Sequence, residues 1–133
     1  MRALVLCLAV VGCADSVEDH ASIDQGVYGR YTTVSDTKRP DFYPPNVAVT
    51  AFELTGGRFD EDKTDGDGFY QLALPPGTYI VCTGGDPESY AQQGKTFNCS
   101  GGCARFGVPE GLVRVDYISA FGNSHWTMGD QCP

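Results

Sequence analysis

The strongest constraint on the fold is the stretch TDGDGFYQLALPPGTYIVC, residues 64–82. In FYQLAL, residues 69–74, large apolar side chains recur at every second position, which is typical of a strand whose two faces meet different surroundings. The PPG run that follows ends this strand, because proline fixes φ and cannot donate to a ladder. Residues 79–82 then resume an apolar strand pattern. The stretch therefore predicts two strands joined by a tight turn, as a hairpin.

The rest of the chain carries further short strand patterns between many turn residues. It has 17 Gly and 8 Pro and no long apolar stripe with a helical period, which favours strands over helices. No helix is predicted. Further strands are predicted at residues 26–34, 46–54, 96–98, 104–108, 112–117 and 124–128. Residues 55–62 are predicted to turn, 35–45 to form a proline-containing loop, and 83–95 to form a long polar loop that is a candidate binding loop.

The same stretch carries a family resemblance. With PPNVAVTAFEL before it, the stretch resembles the carboxypeptidase-regulatory-like domain, whose recurring core is T-x-x-D-G-x-Y-x-L-x-L-P-P-G-x-Y-x-V. A weaker match extends from Val27 to about Tyr117. The resemblance implies an all-β fold over residues 26–133, a single transthyretin-like or Ig-like β-sandwich of about seven strands, and implies little about function. The matching positions are Asp67, Gly68, Tyr70, Leu72, Leu74, Pro75, Pro76, Gly77, Tyr79 and Val81.

The N-terminus, MRALVLCLAVVGC, has the pattern of an export signal. One cation, Arg2, precedes an apolar run that is too short to span a bilayer, which predicts a signal peptide over residues 1–12. The closing Val-Val-Gly-Cys resembles the lipobox of bacterial lipoproteins, and this implies cleavage before Cys13 and diacylation of that cysteine. An ordinary signal peptide cut nearby, with Cys13 incidental, is the alternative.

Residues 13–25 follow as the lipidated cysteine and a polar, acidic tether. In the enterobacterial sorting rule that the lipobox invokes, Asp directly after the cysteine retains lipoproteins in the inner membrane. Ala14 stands there instead, so we expect a membrane-anchored protein at the outer membrane or cell surface. The formal net charge is −8, and loss of the signal, whose only charged residue is Arg2, lowers it to −9. Because this charge repels phosphate backbones, nucleic acid is not an expected partner.

Cysteine usage predicts disulfides. Of six cysteines, one leaves with the signal and Cys13 takes the lipid, and the even number that remains in an exported chain implies two bonds with three possible connectivities. Cys82 ends a predicted strand and Cys103 opens the next, so one arrangement joins them and pairs Cys99 with Cys132. The competing arrangement joins Cys99 to Cys103 and Cys82 to Cys132. Zinc would need a second close cysteine pair, so no metal is predicted.

Candidate chemistry is sparse. Four aspartates between residues 60 and 67 suggest a calcium site, but their spacing does not match the EF-hand pattern. We therefore predict a turn with solvated carboxylates, with calcium binding as the alternative. No cofactor is predicted. The two histidines are His20 in the tether and His125, whose neighbour Ser124 would lie on the opposite face of a strand. The hydroxyisourate hydrolases of this fold end in Tyr-Arg-Gly-Ser, whereas this chain ends in MGDQCP. The chain is therefore predicted not to be an enzyme, with no catalytic residues.

Aromatic residues supply the candidate binding surface: Phe42, Tyr43, Tyr90 and Trp126. Aromatic faces suit sugars, although Trp126 lies on a strand pattern where a core position is the alternative. The prediction for function is a non-enzymatic, surface-exposed bacterial lipoprotein whose sandwich binds or scaffolds a protein partner in the cell envelope. The alternative is a carbohydrate- or peptidoglycan-binding module, with a glycan as partner.

Overall fold

The computed structural model describes residues 21–34, 41–55, 57–95, 97–120, 123–129 and 131–132. The predicted signal peptide, Cys13 and most of the tether lie outside the described residues. The elements are β1 (Gly26–Val34), β2 (Ala48–Phe52), β3 (Arg58–Lys63), β4 (Phe69–Ala73), β5 (Gly77–Cys82), α1 (Pro87–Gln92), β6 (Cys103–Val108), β7 (Leu112–Arg114), β8 (Asp116–Ala120) and β9 (His125–Thr127). Within these ranges, no helix is long and apolar enough to cross a bilayer.

The strands form two sheets that pack face to face. The first, here called the β1 sheet, has the order β4-β1-β8-β9, and β7 also pairs with β1. The second, called the β5 sheet, has the order β3-β2-β5-β6. The predicted all-β sandwich is confirmed. The described part of the chain contains nine strands where about seven were expected: β3 is additional, the strand predicted at residues 112–117 is divided, and residues 97–98 of another predicted strand are not in a strand.

Inward-facing side chains from both sheets form the main core. Leu72 of β4 and Val81 of β5 are fully buried and approach it from opposite sides. Trp126 of β9 packs edge-to-face on Phe106 of β6, with ring centroids 5.8 Å apart. Burial of aromatic surface of this kind contributes strongly to the stability of a small domain. The core therefore joins the two sheets.

The predicted hairpin around the PPG turn is wrong. β4 pairs with β1, whereas β5 pairs with β2 and β6, so the turn carries the chain from one sheet to the other. Tyr70 and Leu72 are buried from one sheet, and Tyr79 and Val81 from the other. The Tyr79 hydroxyl donates to the Pro75 carbonyl at 2.8 Å and braces this crossing. Side chains alternate with a period of two both in the strands of a hairpin and in strands that belong to different sheets. The sequence pattern therefore cannot distinguish these two arrangements.

β3 forms where a turn was predicted. It pairs antiparallel with β2, with a register shift between Ala51 and Phe52. Its sequence, RFDEDK, is charged because β3 is an edge strand with mostly exposed side chains. Charged residues are unfavourable by β-propensity but common on edge strands, where they hinder pairing with other chains. The prediction of a turn relied on the low β-propensity of these residues and did not consider that the segment could be an edge strand.

The predicted loop at residues 83–95 contains the short helix α1, so the prediction of no helix is wrong. The Asp86 carboxylate caps the helix by accepting a hydrogen bond from the Ser89 backbone N–H at 2.8 Å. Pro87 occupies the first turn, where its missing N–H leaves no helix bond unmade. The Asp-Pro pair was the sequence signal for this helix start, and a search for long helical stripes overlooks it.

Val115 divides the strand that was predicted across residues 112–117. Its backbone N–H donates to the Tyr28 carbonyl at 2.8 Å, and its carbonyl accepts the Tyr70 hydroxyl at 2.6 Å. Gly29 lies so close to the Val115 carbonyl that a Cβ there would collide with it. This close approach requires glycine and sets the relative position of β1 and the β7–β8 segment.

Both predicted disulfides are present. Cys82 of β5 bonds to Cys103 of β6, directly opposite it in the ladder, with Cα atoms 4.1 Å apart. Cys99 bonds to Cys132 and holds the C-terminal residues against the sandwich. This connectivity is the first of the two arrangements considered from the sequence. None of the described cysteines is free.

The end of the predicted tether belongs to the domain. Gln71 of β4 accepts from the Ser22 backbone N–H at 2.7 Å and donates to the Ser22 hydroxyl at 2.6 Å. The Gln25 side-chain amide donates to the Leu74 carbonyl at 2.9 Å. The boundary predicted at residue 26 therefore lies too late, because residues 22–25 already share hydrogen bonds with the sandwich.

Candidate functional site

An open groove lies on the outer face of the β5 sheet. Its floor consists of Phe52 of β2, Ile80 of β5 and Phe97. Its volume is about 610 Å³. One wall is α1 with the cap before it, and the other is the β2–β3 connection with the start of β3. We call this feature the α1 groove, lined by Phe52, Leu54, Thr55, Arg58, Ile80, Asp86, Pro87, Glu88, Ala91 and Phe97.

The floor exists because β2 is apolar on both faces. Val49 and Ala51 point into the main core, and Phe52 belongs to a second apolar cluster on the opposite face. Phe52 and Ile80 are each only 5% exposed. A sheet face that buries aromatic and aliphatic side chains needs a cover, and here α1 supplies part of it. The sequence signal was present, since apolar residues occur on both faces of the predicted second strand.

Three contacts hold α1 against the sheet. Tyr90 of α1 is buried, and its hydroxyl donates to the Ser100 carbonyl at 3.2 Å. Its ring stacks on Phe97 with centroids 5.6 Å apart. The disulfide between Cys82 and Cys103 lies in the same apolar cluster as Tyr90. The α1 wall is thus held in place by apolar and hydrogen-bonded contacts, and the disulfide joins the two strands beside it.

The opposite wall is more exposed. Leu54 is 50% exposed and lies beside the apolar floor. Arg58 pairs with Glu61 at 3.3 Å, and both side chains are open to solvent. The Glu53 backbone N–H donates to the Gly57 carbonyl at 2.8 Å and tightens the connection. This wall therefore offers apolar surface at Leu54 and a paired charge at Arg58.

A second depression of about 290 Å³ continues the groove along β2. The two share Phe52, Arg58 and Asp86, and together they run along the outer face of β2. Three carboxylates and one guanidinium line them: Glu61, Asp86, Glu88 and Arg58. The combined groove has an apolar floor and a rim with more negative than positive groups.

The predicted aromatic surface does not come together. Trp126 is 1% exposed and Tyr90 9%, so both are core residues and cannot stack on a sugar. Phe42 is 52% exposed. The Arg30 guanidinium lies over the Tyr43 ring, 3.4 Å from the centroid of that ring. Trp126 is buried because its alternation on β9 turns it inward, where its indole N–H donates to the Gly101 carbonyl. The assignment of Trp126 and Tyr90 to a binding surface is therefore corrected.

The acidic run is occupied by backbone contacts. Asp60 and Asp62 each accept a backbone N–H from β4, and Asp65 accepts two backbone N–H groups within its own turn. In the described ranges, no three His, Cys, Asp or Glu side chains gather in a way that could hold a metal ion. These three carboxylates act as acceptors for the chain's own amides.

Two further titratable features are separate from the groove. Burial, with a smaller contribution from the Asp116 carboxylate, raises the pKa of Tyr70 well above its usual value. The Ser124 hydroxyl lies 3.3 Å from both the amide and the carbonyl of Ala120, and the His125 Nδ1 lies 3.3 Å from the Asn123 carbonyl. Ser124 and His125 therefore have different partners.

Comparison with known proteins supports the fold. No protein-family model and no curated protein matches the chain. The Klebsiella pneumoniae 5-hydroxyisourate hydrolase is similar, with 15% identity and a TM-score of 0.50 over 80% of this chain and 99% of that one. The Bacillus anthracis TIE protein has 20% identity and a TM-score of 0.47 over 72% of this chain, which spans only 17% of it. An (S)-allantoin synthase has 19% identity and a TM-score of 0.46 over 80% of this chain, which spans 45% of it.

The chain has a transthyretin-like fold. The prediction that the chain is not an enzyme is wrong as an inference from this fold, because an enzyme shares the fold. The 5-hydroxyisourate hydrolase is an enzyme by its name and shares the fold across nearly its full length. Enzymes therefore use this sandwich, and a serine and histidine that do not contact each other do not exclude catalysis on it.

Proposed function

We propose that this chain is a bacterial envelope lipoprotein that binds a segment of a protein partner in the α1 groove. Lipid on Cys13 would anchor it to the membrane, and the transthyretin-like domain would present the groove. The observation that carries the proposal is the groove itself, an apolar floor flanked by the half-exposed Leu54 and a charged rim.

The shape of the groove favours a polypeptide segment. Small-molecule sites enclose most of their ligand, whereas this groove is open along its length and continues into a second depression. Helical and extended segments bind such grooves by placing apolar side chains on the floor. Phe52 and Ile80 provide that floor, and Leu54 extends it towards solvent. The predicted binding loop at residues 83–95 contributes the α1 wall.

The position of the N-terminal residues supports display away from the membrane. Ala21 packs on Tyr28 and Phe69, which form a small cluster on the outer face of the β1 sheet. The groove lies on the outer face of the β5 sheet, the other side of the sandwich. A chain that enters on one face leaves the opposite face unobstructed. The proposed anchor and the proposed site would therefore not compete for the same surface.

Photo-cross-linking tests this proposal in whole envelopes. A photo-reactive residue replaces Leu54 in the groove or, as the control, Phe42, which bridges to Thr33 at the β1 sheet and has nearly the same exposure. We expect a reproducible protein adduct from Leu54 that is absent from Phe42. The same adducts from both residues, or none from Leu54, would contradict the groove as a binding site.

A further inference from the structure

We propose that the segment that binds the α1 groove is basic and amphipathic, with an apolar stripe flanked by Lys or Arg. This inference rests on the proposed function and adds the chemistry of the partner. It follows from the distribution of charge around the groove, from the apolar floor, and from the net charge of the chain.

The charged rim is unbalanced. Arg58 is the groove's cation, and its guanidinium already pairs with Glu61 at 3.3 Å. Asp86 uses one carboxylate oxygen to cap α1. Glu88 lies in the first turn of α1, is exposed, and lines the groove. The α1 wall therefore presents negative charge to an occupant.

Long-range charge acts in the same direction. The whole chain has a formal net charge of −8, so it attracts cationic segments and slows the approach of anionic ones. Complementary charge around an apolar centre sets the rate and selectivity of association more than its strength. An anionic lipid surface or an acidic segment would meet repulsion from Glu88 and Asp86.

The apolar floor of the groove sets the second requirement for the segment that binds there. Phe52 and Ile80 are adjacent in the ladder of β2 and β5, and both face the groove. Leu54 stands beside them with half of its surface exposed. Because Phe52 and Ile80 are only 5% exposed, the apolar area that an occupant can cover lies mainly on Leu54, and burial of aliphatic side chains there contributes to binding. Apolar residues must therefore accompany the basic ones.

Two peptide probes test the inference with the full-length mature protein in detergent. One is an amphipathic peptide of leucine and lysine, and the other is its leucine–glutamate counterpart. Binding is measured by calorimetry, and the site is mapped by NMR. We expect the lysine peptide to bind at the groove, and Glu88→Lys to weaken it about three- to tenfold, since one attraction becomes a repulsion. The control is Glu110→Lys, the same change on an exposed turn, with an effect below about twofold.

The outcomes separate this inference from the proposed function. If the glutamate peptide binds the groove as well as the lysine peptide, the charge class is wrong while the groove remains a binding site. If Leu54→Ser, which removes the apolar side chain without adding charge, leaves binding of the lysine peptide unchanged, the peptide responds only to overall charge, and the inference is wrong. If neither peptide binds, the inference is also wrong, and the Leu54 photo-cross-link decides the proposed function by itself.

Discussion

The Asp62 carboxylate of β3 accepts a hydrogen bond from the Gln71 backbone N–H of β4 at 2.9 Å, and so joins the edges of the two sheets. Two residues earlier, Asp60 accepts the Ala73 backbone N–H at 2.9 Å. β4 pairs only with β1 among the described strands, so these amides would otherwise lack a strand partner. A pair of side chains thus takes the place of a neighbouring strand and closes this side of the sandwich.

Removal of either carboxylate should destabilise the fold. Asp62→Ala leaves the Gln71 N–H without its acceptor, and hydrogen bonds to charged groups contribute about 1.5 to 3 kcal/mol. Asp62→Asn keeps an acceptor oxygen and should cost less. Urea unfolding measures both, with the exposed Asp41→Ala as the control. If Asp62→Ala and Asp41→Ala unfold alike, this bond does not close the sandwich.

The raised pKa of Tyr70 predicts how the stability of the fold changes at alkaline pH. Burial, with Asp116, raises its pKa above the usual value of about 10. Above about pH 10 the unfolded chain loses this proton first, so it binds fewer protons than the folded chain and the free energy of unfolding falls as pH rises. Below about pH 10 the contribution of the neutral phenol is fully present.

Tyr70→Phe isolates this effect. The variant loses the hydrogen bond to the Val115 carbonyl, so it should be less stable at neutral pH by about 1 to 3 kcal/mol. It should also show a shallower loss of stability above about pH 10, because one raised phenol pKa is gone. Urea unfolding at several pH values gives both quantities. Equal slopes for the two proteins would mean that Tyr70 does not control alkaline unfolding.

Removal of either disulfide should destabilise the fold by a similar amount, but only one removal should also affect binding at the groove. Replacing either pair by alanine should cost about 2 to 4 kcal/mol. Cys82 and Cys103 lie beneath α1, so their removal should also weaken the photo-cross-link from Leu54. Cys99 and Cys132 lie outside that cluster and serve as the control. Equal loss of the cross-link in both variants would show that α1 does not depend on the bond beneath it.

Membrane attachment tests the sequence-derived lipid anchor. Cys13→Ala should move the exported protein from the membrane fraction to the soluble fraction, because diacylation supplies the stable anchor. Cys7→Ala changes a cysteine within the predicted signal and should leave the fractionation unchanged. Fractionation and immunoblotting measure both. Retention of the Cys13→Ala protein in the membrane would contradict lipidation at this residue.

Several features followed from the sequence alone. Alternation, turn residues and cysteine parity predicted the strand at residues 26–34, the all-β class and the number of disulfides, and the family resemblance implied the sandwich. Local patterns specify which backbone is extended and which side chains are buried.

Other features were decided by the tertiary structure. The partner of each strand depends on contacts between distant residues, so the PPG turn could not be assigned to a crossing from its own pattern. β3 is a strand because it pairs with β2, and Trp126 is a core residue because it packs against Phe106 and Tyr117. The α1 groove likewise combines β2, β5 and a helix that are separated in sequence. Local propensity leaves these outcomes nearly equal in energy, and packing between the sheets selects one of them.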